Sequence, residues 1–307
     1  MTEEKEQNVA QKITPNFWFN DQAEEAARFY MSLFKHAKLG AMSYYDKAAA
    51  AAAGRPEGSV LTVSFELEGQ QFLGLNGGPE FQFNPSISLF VYCDTEEEVD
   101  ELFAKLSDGG AILMPLQKYP FSEKYAWVQD RYGLSWQLYM GSPRGQKVAF
   151  SLLFVGKQCG NAEEAIQLYT SLFDEGRIES ISRYGKDNSP EIPGTVQHAT
   201  FWLAGQEFMA MDSNAMHNFA FNEAISFVVD CEDQEEVDYY WDKLTADGEE
   251  QPCGWLKDKF GVSWQIVPRV LTELLLDPDA ARAERVMHAM LQMKKIDIGQ
   301  LQQVYER

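Results

Sequence analysis

The chain repeats itself, and that repeat constrains the fold more than any other feature it carries. Ala23-Glu24-Glu25-Ala26 running to Tyr30-Met31-Ser32-Leu33-Phe34 returns as Ala162-Glu163-Glu164-Ala165 running to Tyr169-Thr170-Ser171-Leu172-Phe173. Phe83-Asn84 and Ile87-Ser88 return as Phe221-Asn222 and Ile225-Ser226, and Cys93 with Glu97-Glu98-Val99-Asp100 returns as Cys231 with Glu235-Glu236-Val237-Asp238. A last block, Asp130, Gly133, Ser135, Trp136 and Gln137, matches Asp258, Gly261, Ser263, Trp264 and Gln265. Four blocks in one order at similar spacing mark two copies of a unit fused head to tail. The copies are expected over 13–140 and 149–268, after an N-terminal tail over 1–12 and before a helical tail over 269–307. Gly141-Ser142-Pro143-Arg144-Gly145 supplies the turn-forming residues of a linker.

Periodicity gives each copy the order strand, helix, three strands, and then the same again. The expected unit is α+β, two βαβββ modules whose curved, mostly antiparallel sheet encloses a pocket. Phe17-Trp18-Phe19 is a short apolar strand, Asp21 stands where an N-cap is expected, and Ala26, Ala27, Tyr30, Leu33 and Phe34 share one helical face. Residues 59–67 alternate, Glu68-Gly69-Gln70 turns, and 71–75 runs back as a hairpin; its counterpart spans 195–203 and 206–211. Asp94-Thr95 can cap a helix over 96–106. Ala48 to Ala53 favours helix locally, but Gly54-Arg55-Pro56 behind it marks a surface loop. Beyond Pro268, 271–276 and 280–293 read as helices around a break at Pro278. They have no counterpart in the first copy, so they are expected to pack across domains or subunits.

Net charge is −21, from 47 acidic against 26 basic residues, and a field of that sign repels nucleic-acid backbones and anionic membrane surfaces. No apolar stretch approaches the length of a membrane span, and Met1 to Gln11 lacks the apolar core of a signal peptide. Cys93, Cys159, Cys231 and Cys253 include no CxxC pair, which fits reduced thiols in a cytoplasm.

Two βαβββ modules per copy ending in Asp-x-x-Gly-x-Ser-Trp-Gln resemble the vicinal oxygen chelate superfamily of glyoxalases, bleomycin-resistance proteins and extradiol dioxygenases. The PhnB-like branch, labelled 3-demethylubiquinone-9 3-methyltransferase-like, is similar over almost the whole chain. The residues that carry this are Ala162-Glu163-Glu164-Ala165, Phe221-Asn222-Glu223-Ala224-Ile225-Ser226-Phe227, Cys253-Gly254-Trp255-Leu256-Lys257-Asp258 and Gly261-Val262-Ser263-Trp264-Gln265. The tail motif Met287-His288-Ala289-Met290 is also similar to that branch. The resemblance implies a small organic ligand. It also implies subunits that pair so that sheets from both complete the structure. A fused chain can meet that need internally as a pseudodimer, with the C-terminal helices left as a route to a homodimer.

Metal-using relatives place ligands on the first and last strand of each module. Here those strands offer Gln137 and Gln265 where such enzymes carry Glu, while Asn16 to Phe19 and Ser151 to Phe154 include no His or acid. Neutral amides are poor ligands alone, so no metal is expected. No cofactor is expected either, because Gly74, Gly77 and Gly78 lie between strands without the helix N-terminus that a nucleoside cofactor needs. Of the four histidines, His36 and His217 fall in loops and His288 on the tail. His198 lies mid-strand where the first copy has Thr62. A histidine there recurs in PhnB-like relatives, and it is either a base in the pocket or a strand residue satisfied by a neighbour. Cys253, at the place of Tyr125, is either a nucleophile or a small packed thiol. Trp127 and Trp255, with Gln137, Gln265 and the lone acid Asp212, are the candidate ligand contacts. Alternation means Trp136 and Gln137 cannot both face the pocket, nor can Trp264 and Gln265. The leading expectation is a metal-independent small-molecule-binding protein with an apolar aromatic pocket. The alternative is an enzyme on a small carbonyl or aromatic substrate, with His198, Gln265 and Asp212 in a second-copy site.

Overall fold

The computed structural model describes residues 11–142 and 145–307, the side chain of Ala48 excepted. Most of the expected N-terminal tail and the middle of the expected linker, Pro143 and Arg144, lie outside the described residues. The first repeat runs β1 (Ile13–Phe19), α1 (Ala23–Met31), β2 (Ala37–Tyr44), α2 (Lys47–Ala53), β3 (Val60–Leu67), β4 (Gln70–Asn76), β5 (Ile87–Cys93), α3 (Glu96–Ser107), β6 (Ala111–Tyr119), β7 (Ser122–Gln129) and β8 (Ser135–Met140). The second runs β9 (Val148–Val155), α4 (Ala162–Leu172), β10 (Arg177–Arg183), β11 (Val196–Leu203), β12 (Gln206–Ser213), β13 (Ile225–Cys231), α5 (Gln234–Leu244), β14 (Glu249–Glu250), β15 (Trp255–Lys257) and β16 (Ser263–Pro268). The tail is α6 (Arg269–Leu275), α7 (Ala280–Met290) and α8 (Ile298–Tyr305). No helix among the described residues is long and apolar enough to cross a membrane.

Neither sheet belongs to one repeat. One has the order β14-β15-β16-β13-β1-β4-β3-β2 and the other β10-β11-β12-β9-β5-β8-β7-β6. Each therefore joins the first module of one repeat to the second module of the other. The joints are antiparallel: β1 meets β13 from Ile13↔Val229 to Phe17↔Ile225, and β5 meets β9 from Ile87↔Leu152 to Val91↔Val148. The inner faces of the two sheets meet in one core. Phe72 stands 6.2 Å from Phe150, which lies 5.5 Å from Phe227 and 6.0 Å from Phe208. Rings of this size buried from water contribute about 1.5–3 kcal/mol each, so the repeats are held together by the same term that folds them.

The helix starts differ from local expectation. Asp21 does not cap α1; Gln22 precedes the helix without a side-chain cap, and Asn76 Oδ1, from the end of β4, accepts from Ala23 N at 2.8 Å. Asp212, in the matching place on β12, accepts from Ala162 N at 3.2 Å at the start of α4. A cap reaching over from another strand leaves no signature next to the helix. Thr95 does cap α3, accepting from Glu98 N at 3.2 Å. The alanine run is α2, not a loop: Asp46 accepts from Ala49 N at 2.7 Å, and Gly54 closes the helix at φ 63°. With both ends capped, alanine's intrinsic preference for helix prevails.

The shared Asp-x-x-Gly-x-Ser-Trp block is a polar hub inside the core. Asp258 Oδ1 accepts from Phe260 N and Val262 N at 2.9 and 3.1 Å, and Oδ2 from Trp264 Nε1 and the Tyr169 hydroxyl at 2.9 and 2.6 Å. Asp130 likewise takes Tyr132 N, Leu134 N and Trp136 Nε1 at 2.8, 3.1 and 2.9 Å. Trp136 and Trp264 thus belong to the core, which turns Gln137 and Gln265 to the opposite face. Asp258→Ala leaves four buried donors without an acceptor and should lower unfolding free energy by about 2–4 kcal/mol in urea titration. A loss under about 0.5 kcal/mol, the range of surface substitutions, would contradict the hub.

Candidate functional site

The outer face of the β10-to-β6 sheet holds a cavity of about 760 Å³ whose lining comes from both repeats. Strand alternation builds it. Leu89, Val91, Trp136 and Leu138 point into the core, so Phe90, Tyr92, Gln137 and Tyr139 point out. β7 adds Tyr125 and Trp127, β12 adds Glu207, Met209 and Met211, β11 adds His198 and Thr200, and the edge strand β10 adds Ser180 and Ser182. Phe90 and Tyr92 pack against Tyr139 at 5.4 and 5.9 Å, and Phe121 packs edge-on to Tyr125 at 5.0 Å. Rings in these tilted arrangements form a wall with the geometry aromatic pairs prefer.

The polar centre of this wall is satisfied internally. The Tyr125 hydroxyl donates to Gln137 Oε1 at 2.8 Å, and Gln137 Nε2 donates to Ser88 Oγ at 2.7 Å. Trp127 Nε1 donates to Ser135 Oγ at 2.7 Å, and the Tyr92 hydroxyl to Glu207 Oε1 at 2.8 Å. Burial raises the Tyr125 hydroxyl well above its usual range, and burial with nearby Glu191 and Asp212 pushes Tyr184 up to about 12. Both therefore remain protonated donors. Burial depresses the His198 imidazole, since removing water penalises its charged form, so it is neutral at pH 7.

The residues singled out in the sequence divide into three groups. Gln137, Trp127 and His198 converge on this cavity. Gln265 and Trp255 lie on the other sheet, with Cys253 in the turn leading into β15; Gln265 Nε2 donates to Ser226 Oγ at 2.9 Å and Trp255 stands 5.9 Å from Trp18. Asp212 turns away from both: fully buried, it accepts from Gly160 N, Ala162 N and Val196 N at 2.7, 3.2 and 2.9 Å. The expected grouping of His198, Gln265 and Asp212 is therefore corrected, because module exchange puts His198 with the first repeat's glutamine. Burial pushes the Cys253 thiol up, which disfavours a thiolate, and its backbone N–H donates to Met293 O at 2.8 Å. Phe90, Tyr92, Tyr125, Tyr139, Glu207 and Met209 escaped sequence reasoning. Their signal was parity: Phe90 and Tyr92 alternate in step with Ser88, and Tyr139 in step with Gln137.

These residues suit neither a metal nor a nucleoside cofactor. Gln137 uses both ends of its amide on Tyr125 and Ser88, and among the described residues no three His, Cys, Asp or Glu side chains cluster as ligands. This donor set does not fit a divalent ion. Gly77 and Gly78 sit under Trp18: a Cβ on Gly77 would come within 2.2 Å of the indole, and Trp18 Nε1 donates to Gly78 O at 2.9 Å. These glycines admit a ring and do not cradle a cofactor. A second concavity of about 810 Å³ lies between α5, α6 and α8. Its acids are spent locally, Asp233 and Asp297 on helix caps and Asp238 on Lys295 at 2.8 Å, so the aromatic cavity is the better candidate.

Comparison with known proteins follows the same lines. The profile of the family described as 3-demethylubiquinone-9 3-methyltransferase matches residues 11–139 and 146–267. A Bacillus cereus protein described as a PhnB protein of that methyltransferase type is 45% identical over 43% of this chain and 100% of its own, with a TM-score of 0.39. A protein of known structure from Staphylococcus aureus is 37% identical over 43% of this chain and 97% of its own, with a TM-score of 0.18. A glyoxalase I mutant from Zea mays, 10% identical, covers 84% of this chain and 95% of its own with a TM-score of 0.54, a likeness of fold. No curated protein matches the chain.

The His198 environment sets a pH dependence with a definite sign. A folded pKa below the ordinary 6.5 means the unfolded chain takes up the proton first, so stability is whole above 6.5 and falls as pH drops through that value toward the folded pKa. Imidazole NMR titration should place His198 below 6.5, and His198→Gln should flatten the stability slope on the acid side of 6.5. A midpoint at or above 6.5 would contradict its burial in the cavity wall.

Proposed function

The chain belongs to the 3-demethylubiquinone-9 3-methyltransferase family, the PhnB-like branch of the glyoxalase-type fold, and we propose that this member binds a flat, ring-bearing small molecule without a metal. The observation that carries the reading is the aromatic wall of the 760 Å³ cavity, with its neutral Tyr125–Gln137–Ser88 chain at the centre. A cavity of that size suits a drug-sized ligand, whose rings stack on Trp127, Tyr125 and Phe90 while a few polar groups fix orientation. Methionines 114, 209 and 211 form an adaptable lining for rings of varied outline. On this reading the contacts are Gln137 and Trp127 from the first unit, over 13–140, and His198 from the second, over 149–268.

Catalysis on a small carbonyl or aromatic substrate is the second reading, favoured by one observation: a neutral imidazole, His198, shares the cavity with the Glu207 carboxylate. A neutral imidazole can accept a proton from a bound substrate.

A thermal-shift screen of flat aromatic compounds and quinones, with and without EDTA, tests the binding reading, since a ligand that binds only the folded chain raises Tm. With acridine as probe, Trp127→Ala should weaken binding about tenfold, the loss of roughly 1.4 kcal/mol of ring contact, with Trp255→Ala within about twofold. Binding that vanishes in EDTA and returns with a stoichiometric divalent metal would overturn it. Turnover of a carbonyl substrate abolished by His198→Asn would favour the enzyme.

A further inference from the structure

The second sheet carries the same framework on its outer face, and register shows which residues correspond. β5 and β8 pair Phe90 with Gln137 and Tyr92 with Tyr139; β13 and β16 pair Val228 with Gln265 and Asp230 with Val267. Tyr125 stands two residues before Trp127, as Cys253 stands two before Trp255. Tyr184 donates its N–H across its loop to Thr195 O at 3.0 Å, as Tyr45 does to Ser59 O at 2.8 Å. The central amide–hydroxyl pair is kept, Gln265 on Ser226 in place of Gln137 on Ser88.

Three places that face the open cavity on one sheet are covered on the other. In the cavity, Tyr125, Tyr139 and Tyr184 line the space. Their counterparts meet the chain's own C-terminal segment. Val267 packs with the tail core of Leu271, Val286 and Ile296, the N–H groups of Cys253 and Gly254 donate to Met293 O and Lys294 O at 2.8 and 2.7 Å, and buried Tyr45 packs with α2 and Met287. Helix α7 touches α6 at one side of this face and α2 at the other. Rings are lost on this face, Phe90 to Val228, Tyr125 to Cys253 and Tyr139 to Val267, and at the last two places the tail's backbone and side chains lie against the shorter residue. Beneath, Asn16 is 1% exposed and its Oδ1 has no hydrogen-bond partner among the described residues. It shares a strand face with Gln265 through Ser226 Oγ, to which Asn16 Nδ2 donates at 3.4 Å. A buried acceptor without a donor is costly, and it suits a ligand that brings an N–H or O–H.

We infer that this face is a second ligand site held shut in cis by α7 and the segment behind it, so that the intact chain takes one ligand and displacing the tail uncovers another. The class of ligand is that of the proposed cavity, flat and ring-bearing, and to that extent the inference rests on the proposed function. The latent site is the weaker one, having Trp18 and Trp255 but fewer rings around its glutamine.

Calorimetric titration with acridine counts the sites. The intact chain should bind one equivalent. Met287→Asp with Met293→Asp, in the full chain, should bind two, the second at least tenfold weaker; adding Val228→Trp, which fills the second face, should restore one. The single Met287→Asp, at a half-buried position, serves if the double variant does not fold. Two equivalents in the intact chain, one in the tail variants, or two that persist with Val228→Trp would each overturn the inference. No equivalent in the intact chain but one in the tail variants, lost with Val228→Trp, would uphold it while removing the proposed cavity. No binding by any of the proteins would overturn both.

Discussion

The antiparallel joints between repeats, β1 on β13 and β5 on β9, are the constraint from which the rest of the molecule follows. Because the backbone groups of β1 and β5 must be satisfied by a strand of the other repeat, neither repeat can close its own sheet. The joints also fix parity. Asn16 opposes Ser226 and Ser88 opposes Ser151, so the serines of both middle strands, and the glutamines beside them, share the outer faces. A slip of one residue would turn Phe17 and Phe150 out of the core and drive the glutamines into it.

The same joints explain how a duplicated sequence came to hold two unlike faces. Each face draws half its side chains from each repeat, so a change in either repeat alters only half of one face. On one, the aromatic side chains at 90, 92, 125 and 139 line a cavity around Gln137. On the other, Val228, Asp230, Cys253 and Val267 at the matching places give a lower wall, and the tail packs on Val267. The Asp130 and Asp258 hubs were left alike because both lie inward, where an unpaired indole N–H or backbone N–H would cost about 1–3 kcal/mol.

Much of the fold was legible in the sequence because it is written in local period and in repetition. The matched blocks gave two βαβββ modules per copy and the mostly antiparallel sheets, and alternation put Trp136 and Gln137 on opposite faces. What escaped depended on partners far along the chain. Asn76 and Asp212 cap helices from neighbouring strands, and nothing beside Ala23 or Ala162 announces them. The alanine helix was hidden by its Gly-Arg-Pro flank, although Asp46 was in place to start it. The site was read less well than the fold. Assigning Gln265 to the surroundings of His198 assumed that residues of one copy share one face, which sheet exchange breaks, while Asp212 shares the sheet of His198 but points inward to backbone N–H groups. The rings of β5, β7 and β8 were visible only as single aromatics until register aligned them.

The central claim is that the ligand lies on the β10-to-β6 face, between residues of both repeats, and a crystal structure of the chain with acridine bound tests it most directly. A flat ring is expected between Trp127 and Met209, its edge toward the Gln137 amide and His198. Density over Trp18 and Trp255 with that cavity left open, or a ring held through a metal ion, would contradict it.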